Sequence, residues 1–304
     1  MTAATLPADA AARSRGQAVN RRRLRRGVLH AFLIVVTIIW LFPLGWAIYT
    51  SFRPYADTTL HGYVSLPSSL TLDNYINAWS RAELPRYFFN TAVIVIPAVI
   101  LVLFLASMMA FVVSRFSFRF NVLLLLLFTA ANLLPPQVII TPLYRLYLAL
   151  PLFPPLSDNG LFYDQYFGIM VIHVAFQMGF CTFVLSNYMR TLPKELTEAA
   201  FVDGASVWRI YRQIILPLTR PALGALATLQ VTWMYNDFFW ALILMRTGSK
   251  YPITSGLNNL QGQFFTDNNL VAAGSILVAL PTLIVFIVLQ KQFVRGLTLG
   301  STKG

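Results

Sequence analysis

Long apolar stretches dominate the chain, and five of them contain no Asp, Glu, Lys or Arg: residues 27–52, 87–114, 120–144, 165–189 and 268–290. A sixth, residues 221–245, is interrupted only by Asp237. Each is long enough to supply the roughly 20 mainly apolar residues that an α-helix needs to cross a bilayer core. The next longest gap between charges, residues 58–72, is shorter and rich in Gly, Pro, Ser and Thr, so it reads as a loop. The pattern predicts an all-α polytopic membrane protein with six transmembrane helices.

Composition agrees. Of 304 residues, 57% are hydrophobic and 11% charged, against about a quarter charged in soluble domains, and the mean hydropathy is +0.64. The formal net charge of +12 would point to nucleic acid in a soluble protein, but its placement points elsewhere. One set of alternate segments, the N-terminal tail, the second-to-third and fourth-to-fifth connections and the C-terminal tail, carries 17 Lys and Arg; the opposite set carries six. Basic loops are retained in the cytoplasm, so both termini are expected there, and no nucleic-acid partner is implied.

The organisation that follows is a basic cytoplasmic tail over residues 1–26, expected to be disordered, and a first transmembrane helix over 27–52. An external loop spans 53–86, a transmembrane core 87–290 and a cytoplasmic tail 291–304. The first apolar interval is too long for a signal-peptide core and no small-residue cleavage site closes it, so it reads as an uncleaved helix. The arginines before it read as an orientation signal rather than a specific lipid site. Cys181 is the only cysteine; it forms no intrachain disulfide and reads as a packing residue.

Catalytic signatures are missing. His30, His61 and His173 are scattered, and the chain contains no HExxH, CxxC or Walker A sequence and no G-x-S-x-G elbow. The chain is expected not to be an enzyme and to hold no cofactor. Asp237 is the only carboxylate within a span, which weakens a proton-coupled carrier without removing it as the alternative; a scaffold without transport is a third class.

The most informative segment is the connection 191–217. Pro193 suits the first turn of a short helix, Gly204 the left-handed residue that ends it, and Ser206 the cap of a second. Val207, Tyr211 and Ile214 then form an apolar stripe at helical spacing. Physics alone leaves two readings open, a knob for a partner's groove or a helix pair lying on the bilayer surface.

Glu198, Ala199 and Ala200, then Gly204, then Ile214, Leu216 and Pro217 resemble the EAA loop of binding-protein-dependent ABC-transporter permeases at every fixed position. Asp203 fits the extended form of that pattern, and Phe201 stands where sugar permeases often have Arg. Other stretches resemble the six-span subunit of the maltose-transporter type: Leu72 to Tyr75 with Trp79; Tyr87 to Asn90; Ala110 and Phe111 through Ser114, Arg115 and Phe116; Pro136 and Gln137; Pro142 to Tyr144; Asn236 and Asp237; and Gly296, Leu297, Thr298, Gly300, Lys303 and Gly304 at the end. Tyr235 and Ala241 depart from the pattern around Asn236 and Asp237. The resemblance covers about residues 70–304 and implies a type I ABC importer permease fold in a bacterial plasma membrane. It also implies a homologous second permease, two ATPase subunits that bind the ATP, an extracytoplasmic solute-binding protein and a carbohydrate substrate. Glu198 would then contact the ATPase, Gly204 would aim the loop's helix, and a strand-like C-terminal tail would make a second ATPase contact.

For a translocation path the sequence offers Asn132, His173, Gln177, Gln230, Asn236 and Asp237, with Trp233 and Tyr235 as stacking planes. His173 and Gln177 share a helix face. Asn236 and Asp237, about 100 degrees apart on a helix, cannot face the same way, and tethering of a neighbouring helix is the favoured role there. Prolines 97, 135, 136, 142 and 281 are expected to kink spans.

Overall fold

The structure, a computed structural model, describes residues 8–81, 83–133, 135–260 and 266–298, with side chains described from Leu24 to Gln290 except at 122, 129, 131–133, 258 and 259. It is helical throughout these residues apart from loops and an isolated bridge between Pro151 and Leu161. In chain order the helices are α1 (Ala8–Ser51), α2 (Tyr55–His61), α3 (Asp73–Arg81), α4 (Leu84–Arg115), α5 (Asn121–Leu133), α6 (Ile140–Ala149) and α7 (Tyr166–Thr191). They continue as α8 (Glu195–Val202), α9 (Val207–Ile210), α10 (Leu216–Leu218), α11 (Arg220–Tyr235), α12 (Phe239–Leu244), α13 (Ile253–Gly256) and α14 (Asn268–Thr298).

Among the described residues, four helical segments are long and apolar enough to cross a membrane: Leu24–Ser51, Leu84–Arg115, Tyr166–Thr191 and Asn268–Gln290. A fifth arises if Val207–Leu218 and Arg220–Tyr235, bent by 72°, are taken together. Two of the six expected spans are therefore not single helices. The third interval breaks after α5, where Pro135 and Pro136 lead into a 3-10 turn, Pro136–Ile139, before α6. Proline lacks the N–H that would continue a helix and biases the residue before it toward extended backbone. The sixth interval breaks after α11, a helix of 16 residues, and resumes as α12 only after Asn236, Asp237 and Phe238. Pro97 and Pro281, by contrast, lie inside continuous helices.

At both ends the helices extend beyond the apolar intervals. α1 begins at Ala8, so most of the tail expected to be disordered is helical, in keeping with the high helix propensity of Ala and Arg. α14 reaches Thr298, so Gly296 to Thr298 are helical rather than strand-like; Gly300, Lys303 and Gly304 lie outside the described residues.

The core is built on α4, α7 and α11. Ala98, Val102, Ala106 and Ala110 of α4 meet Cys181, Leu185 and Met189 of α7, with Leu226 and Met234 from α11. Cys181 is thus the packing residue that was expected. A second cluster joins Tyr147 of α6, Ile169 and Ile172 of α7 and Trp240 and Leu244 of α12. A third, adjoining it at Tyr251, joins Ala78, Tyr87, Ile253 and Val278. α1 lies along α14 but leaves its apolar surface open: none of its most apolar window is buried, and Trp40 is 77% exposed. An apolar helix with that exposure is suited to a lipid or protein neighbour rather than water.

Candidate functional site

The segment after α7 folds as a helix pair. Gly204 has φ 76°, Ala205 N–H donates to Ala200 O at 2.9 Å, and Gly204 N–H donates to Phe201 O at 3.0 Å. This is a Schellman turn, the motif that satisfies the last carbonyls of a helix by placing one residue in the left-handed region. A Cβ at Gly204 would meet nothing within 4 Å, so the backbone angle alone demands glycine there. Ser206 caps α9 through its hydroxyl, which accepts from Arg209 N–H at 3.3 Å. Pro193 stands two residues ahead of α8 rather than in its first turn.

Within α8, Thr197 and Ala200 turn inward, while Glu198, Ala199, Phe201, Val202 and Asp203 are exposed. Val202 is 89% exposed, and Leu196, Val207 and Trp208 also present apolar surface. The expected stripe of Val207, Tyr211 and Ile214 is displaced. Ile210, Tyr211 and Ile215 are buried instead, and Val207 is exposed. A π-helical turn over Tyr211–Ile215, in which Leu216 N–H reaches Tyr211 O, puts Ile215 rather than Ile214 on the buried face. A π-turn inserts an extra residue and rotates the following face. Pro217, which has no N–H to offer the carbonyl one turn back, sits two residues after it. Ile214, Leu216 and Pro217 are half-buried at the exit, and Thr219, fully buried, closes the turn by donating its hydroxyl to Ile215 O at 2.7 Å.

Polar contacts fasten this segment to α4, beside the ring of Phe111 on Tyr211. Tyr211 Oη lies 2.7 Å from Ser107 Oγ. Arg115 donates to the carbonyls of Met189 at 2.9 Å, Leu192 at 3.2 Å and Pro193 at 3.4 Å. Arg115 was visible in the sequence only as part of a family-like stretch, and neither Ser107 nor Tyr211 carried a signal of pairing. Phe201, at the position where Arg is common, packs its ring edge-on against Phe116, 6.3 Å between centroids.

Deeper in the bundle the structure brings together four of the six path residues. His173 Nε2 of α7 lies 3.8 Å from Asp237 Oδ2, and Gln230 donates to Gln177 Oε1 at 3.3 Å. Asp237 is not part of a helix: it sits in the break and accepts from Trp240 N–H at 3.3 Å, capping α12. That satisfies an orphan donor of a helix N-terminus and places negative charge where the helix dipole favours it. Asn236 faces the other way, exposed, with its amide on Thr232 O at 2.8 Å. Tyr235 is no stacking plane; it is buried and donates to Val278 O of α14 at 2.8 Å. Trp233 does remain open, resting on Phe180 with 5.3 Å between centroids. The Asn132 side chain lies outside the described residues.

The opposite ends of the helices are cross-braced by polar contacts between sequence-distant segments. Arg53, 1% exposed, donates to Asp57 at 3.0 and 2.7 Å and to the carbonyls of Gly62, Tyr63 and Ser65. Asn74 and Asn269 both donate to Arg53 O, at 2.8 and 2.9 Å. The Ser68 hydroxyl and the Arg53 guanidinium, joined by His61, hold the Asp57 carboxyl well below the usual carboxylate range. Asp164 accepts from Arg246 and Thr247 N–H at 2.8 and 2.9 Å. Asn90 links α4 to the carbonyls of Ser249 and Tyr251, both at 2.9 Å.

Residues 102–298 match the family model described as binding-protein-dependent transport system inner membrane component. The diacetylchitobiose uptake system permease protein of Streptomyces coelicolor is 30% identical over 95% of this chain and 92% of its own length. An arabinooligosaccharides transport system permease protein of Halalkalibacterium halodurans is 32% identical over 88% and 93%. Among solved structures, a bacterial ABC transporter involved in the import of the acidic polysaccharide alginate contains a chain that superposes with a TM-score of 0.75. That chain is 21% identical, and the match covers 89% of this chain and 97% of it.

Proposed function

The chain belongs to the family of binding-protein-dependent transport system inner membrane components, and from that membership we propose that it is the membrane-spanning permease subunit of an ATP-driven importer for a carbohydrate. It is a multi-pass membrane protein. Separate ATPase subunits bind the ATP, a homologous second permease completes the pathway, and an extracytoplasmic solute-binding protein delivers the sugar or oligosaccharide. Six crossings with both termini in the cytoplasm follow if α5 with α6, and α11 with α12, each complete a broken span.

The observation that carries the reading is the exposed helix pair around Gly204, fixed in shape by its Schellman turn and presenting Glu198, Phe201, Val202 and Trp208 outward. A rigid projection with apolar surface is suited to a groove on a partner. Closure of the ATPases around ATP shifts the permease toward an outward-open state, and hydrolysis returns it. The shift requires the ATPases to bind the two states with different affinity. Gly296, Leu297, Thr298, Gly300, Lys303 and Gly304 form the second contact with them.

For the substrate, Trp233 and Asn236 share an exposed face three residues apart, and they offer a stacking plane and a polar group for a sugar. His173, Gln177, Gln230 and Asp237 act behind that face as interhelical tethers. The resemblance of the chain to uptake permeases for oligosaccharides supports the substrate class.

The test is uptake of labelled oligosaccharide into proteoliposomes that contain the assembled complex and its binding protein. The reading expects uptake to need ATP inside and the binding protein outside, and Asp237→Asn to retain most of it. Uptake driven by a proton gradient without ATP, and abolished by Asp237→Asn, would instead establish the self-contained carrier.

A further inference from the structure

α7 ends at Thr191 and only three residues, Leu192 to Lys194, separate it from α8. The last carbonyls of a helix have no partner within it, and Pro193 has no N–H with which to help cap them. A further partner comes from another helix. Arg115, the final residue of α4, spreads its guanidinium over one carbonyl of the last turn of α7, Met189, which also accepts from Leu192 N–H, and over two carbonyls of the connection, with Nη2 on Met189 and Nη1 on Leu192 and Pro193. A planar fork of five donors can span such a set, whereas the ammonium of Lys is a compact point charge. Positive charge at a helix C-terminus is also favoured by the helix dipole.

The same helix holds the exit of the segment. Ser107, two turns back and roughly 12 Å along α4 from Arg115, meets Tyr211 in the π-turn. Between entrance and exit, Phe116 packs on Phe201 of α8. The loop thus reaches the transmembrane core through the cytoplasmic end of α4 at its start, middle and end.

We propose that Arg115 is the positioning residue of the coupling loop: its fork makes the entrance to α8 move as one body with α4 and α7, so that displacement of the loop by the ATPases reaches the transmembrane helices. The assignment rests on the coupling function proposed above. Arg115 touches neither substrate nor nucleotide and acts through the backbone it holds.

The experiment uses the full complex in proteoliposomes and measures uptake and ATP hydrolysis together for the wild type, Arg115→Ala and Arg115→Lys, with co-purification of the ATPase subunits as a control. Arg115→Ala should keep the ATPases and hydrolyse ATP within about twofold of wild type while uptake per ATP falls at least about tenfold; Arg115→Lys, which keeps the charge but not the fork, should fall in between. An unchanged ratio in Arg115→Ala would overturn the assignment while leaving the coupling loop itself standing. Loss of the ATPases from both variants would also overturn it, because Arg115 would then serve assembly alone. A wild-type complex without ATP-driven uptake would defeat both the assignment and the function on which it rests.

Discussion

The two ends of the helix bundle are held in different ways. At the end proposed to be external, buried charges and amides reach across sequence-distant segments: Arg53 gathers α2, the loop behind it, α3 and α14, while Asp164 and Asn90 bind the segments that follow α12. At the end proposed to be cytoplasmic, the loop of α8 to α10 leaves most of α8 exposed; it is fastened to α4 and α7 by the Arg115 guanidinium, the Ser107–Tyr211 and Tyr188–Leu218 hydroxyl contacts and rings of Phe111 and Phe116, with Ala200, Ile210, Tyr211 and Ile215 buried in the core. Buried, fully partnered polar networks rigidify a structure; a projecting segment with few attachments can be moved as a unit. Under the proposed function, the contrast places rigidity on the side that would receive substrate and movement on the side on which the ATPases would act.

The largest effect should come from the moving side. Gly204→Val forces a β-branched residue to a φ of 76°, at a cost of about 1–2 kcal/mol for left-handed backbone. Relief of that strain re-aims α8. Uptake should fall at least about tenfold, with ATP hydrolysis and membrane insertion retained. Normal coupled uptake would remove the loop from the mechanism.

A substitution in the rigid side should act in the opposite sense. Arg53→Met leaves Asp57 without its main partner, and breaking a buried ion pair by removing one member is strongly destabilising. The Tm of the purified protein in detergent should drop by at least about 5 °C. Uptake per ATP of the molecules that remain folded should be unchanged. A coupling defect in that variant would erase the contrast between the two ends.

Smaller effects refine it. Tyr211→Phe removes the hydroxyl contact with Ser107, worth about 1 kcal/mol, and should reduce uptake per ATP by roughly fivefold or less with little change in Tm. Acid should weaken the external brace alone. The Asp57 carboxyl is held below its ordinary value, so its contribution is fully present above the unfolded value of about 4 and is lost as pH falls through the lower folded value. Thermal unfolding measured downward from pH 5 should show a steeper loss for the wild type than for Asp57→Asn.

How much of this was legible in the sequence varies with the kind of signal. Helix starts and stops that rest on local backbone chemistry, such as Gly204 and Ser206, are found where the residues place them. Intervals without charge locate apolar segments but do not show where a helix breaks: Pro135 and Pro136 interrupt one, and Asp237, read as a residue within a span, proves to be the cap that lets α12 restart. Burial of Ile215 in place of Ile214 has a related origin, since a π-turn changes the period on which such a reading depends. Tyr235 was assigned to the path from its neighbourhood in sequence, yet its hydroxyl is committed to α14. The ties of Arg115, Arg53 and Asp164 join residues to carbonyls or amides of other segments, contacts that no local pattern records.

The central claim, that the loop around Gly204 is the surface through which ATPases act, is tested most directly by cross-linking. A photoreactive residue is placed at Val202, 89% exposed on the loop, or at Val64, 87% exposed near the Arg53 brace, and the membranes that contain the complex are irradiated. The account predicts an adduct with an ATPase subunit from position 202 and none from position 64. No ATPase adduct at 202, or equal adducts at both positions, would contradict it.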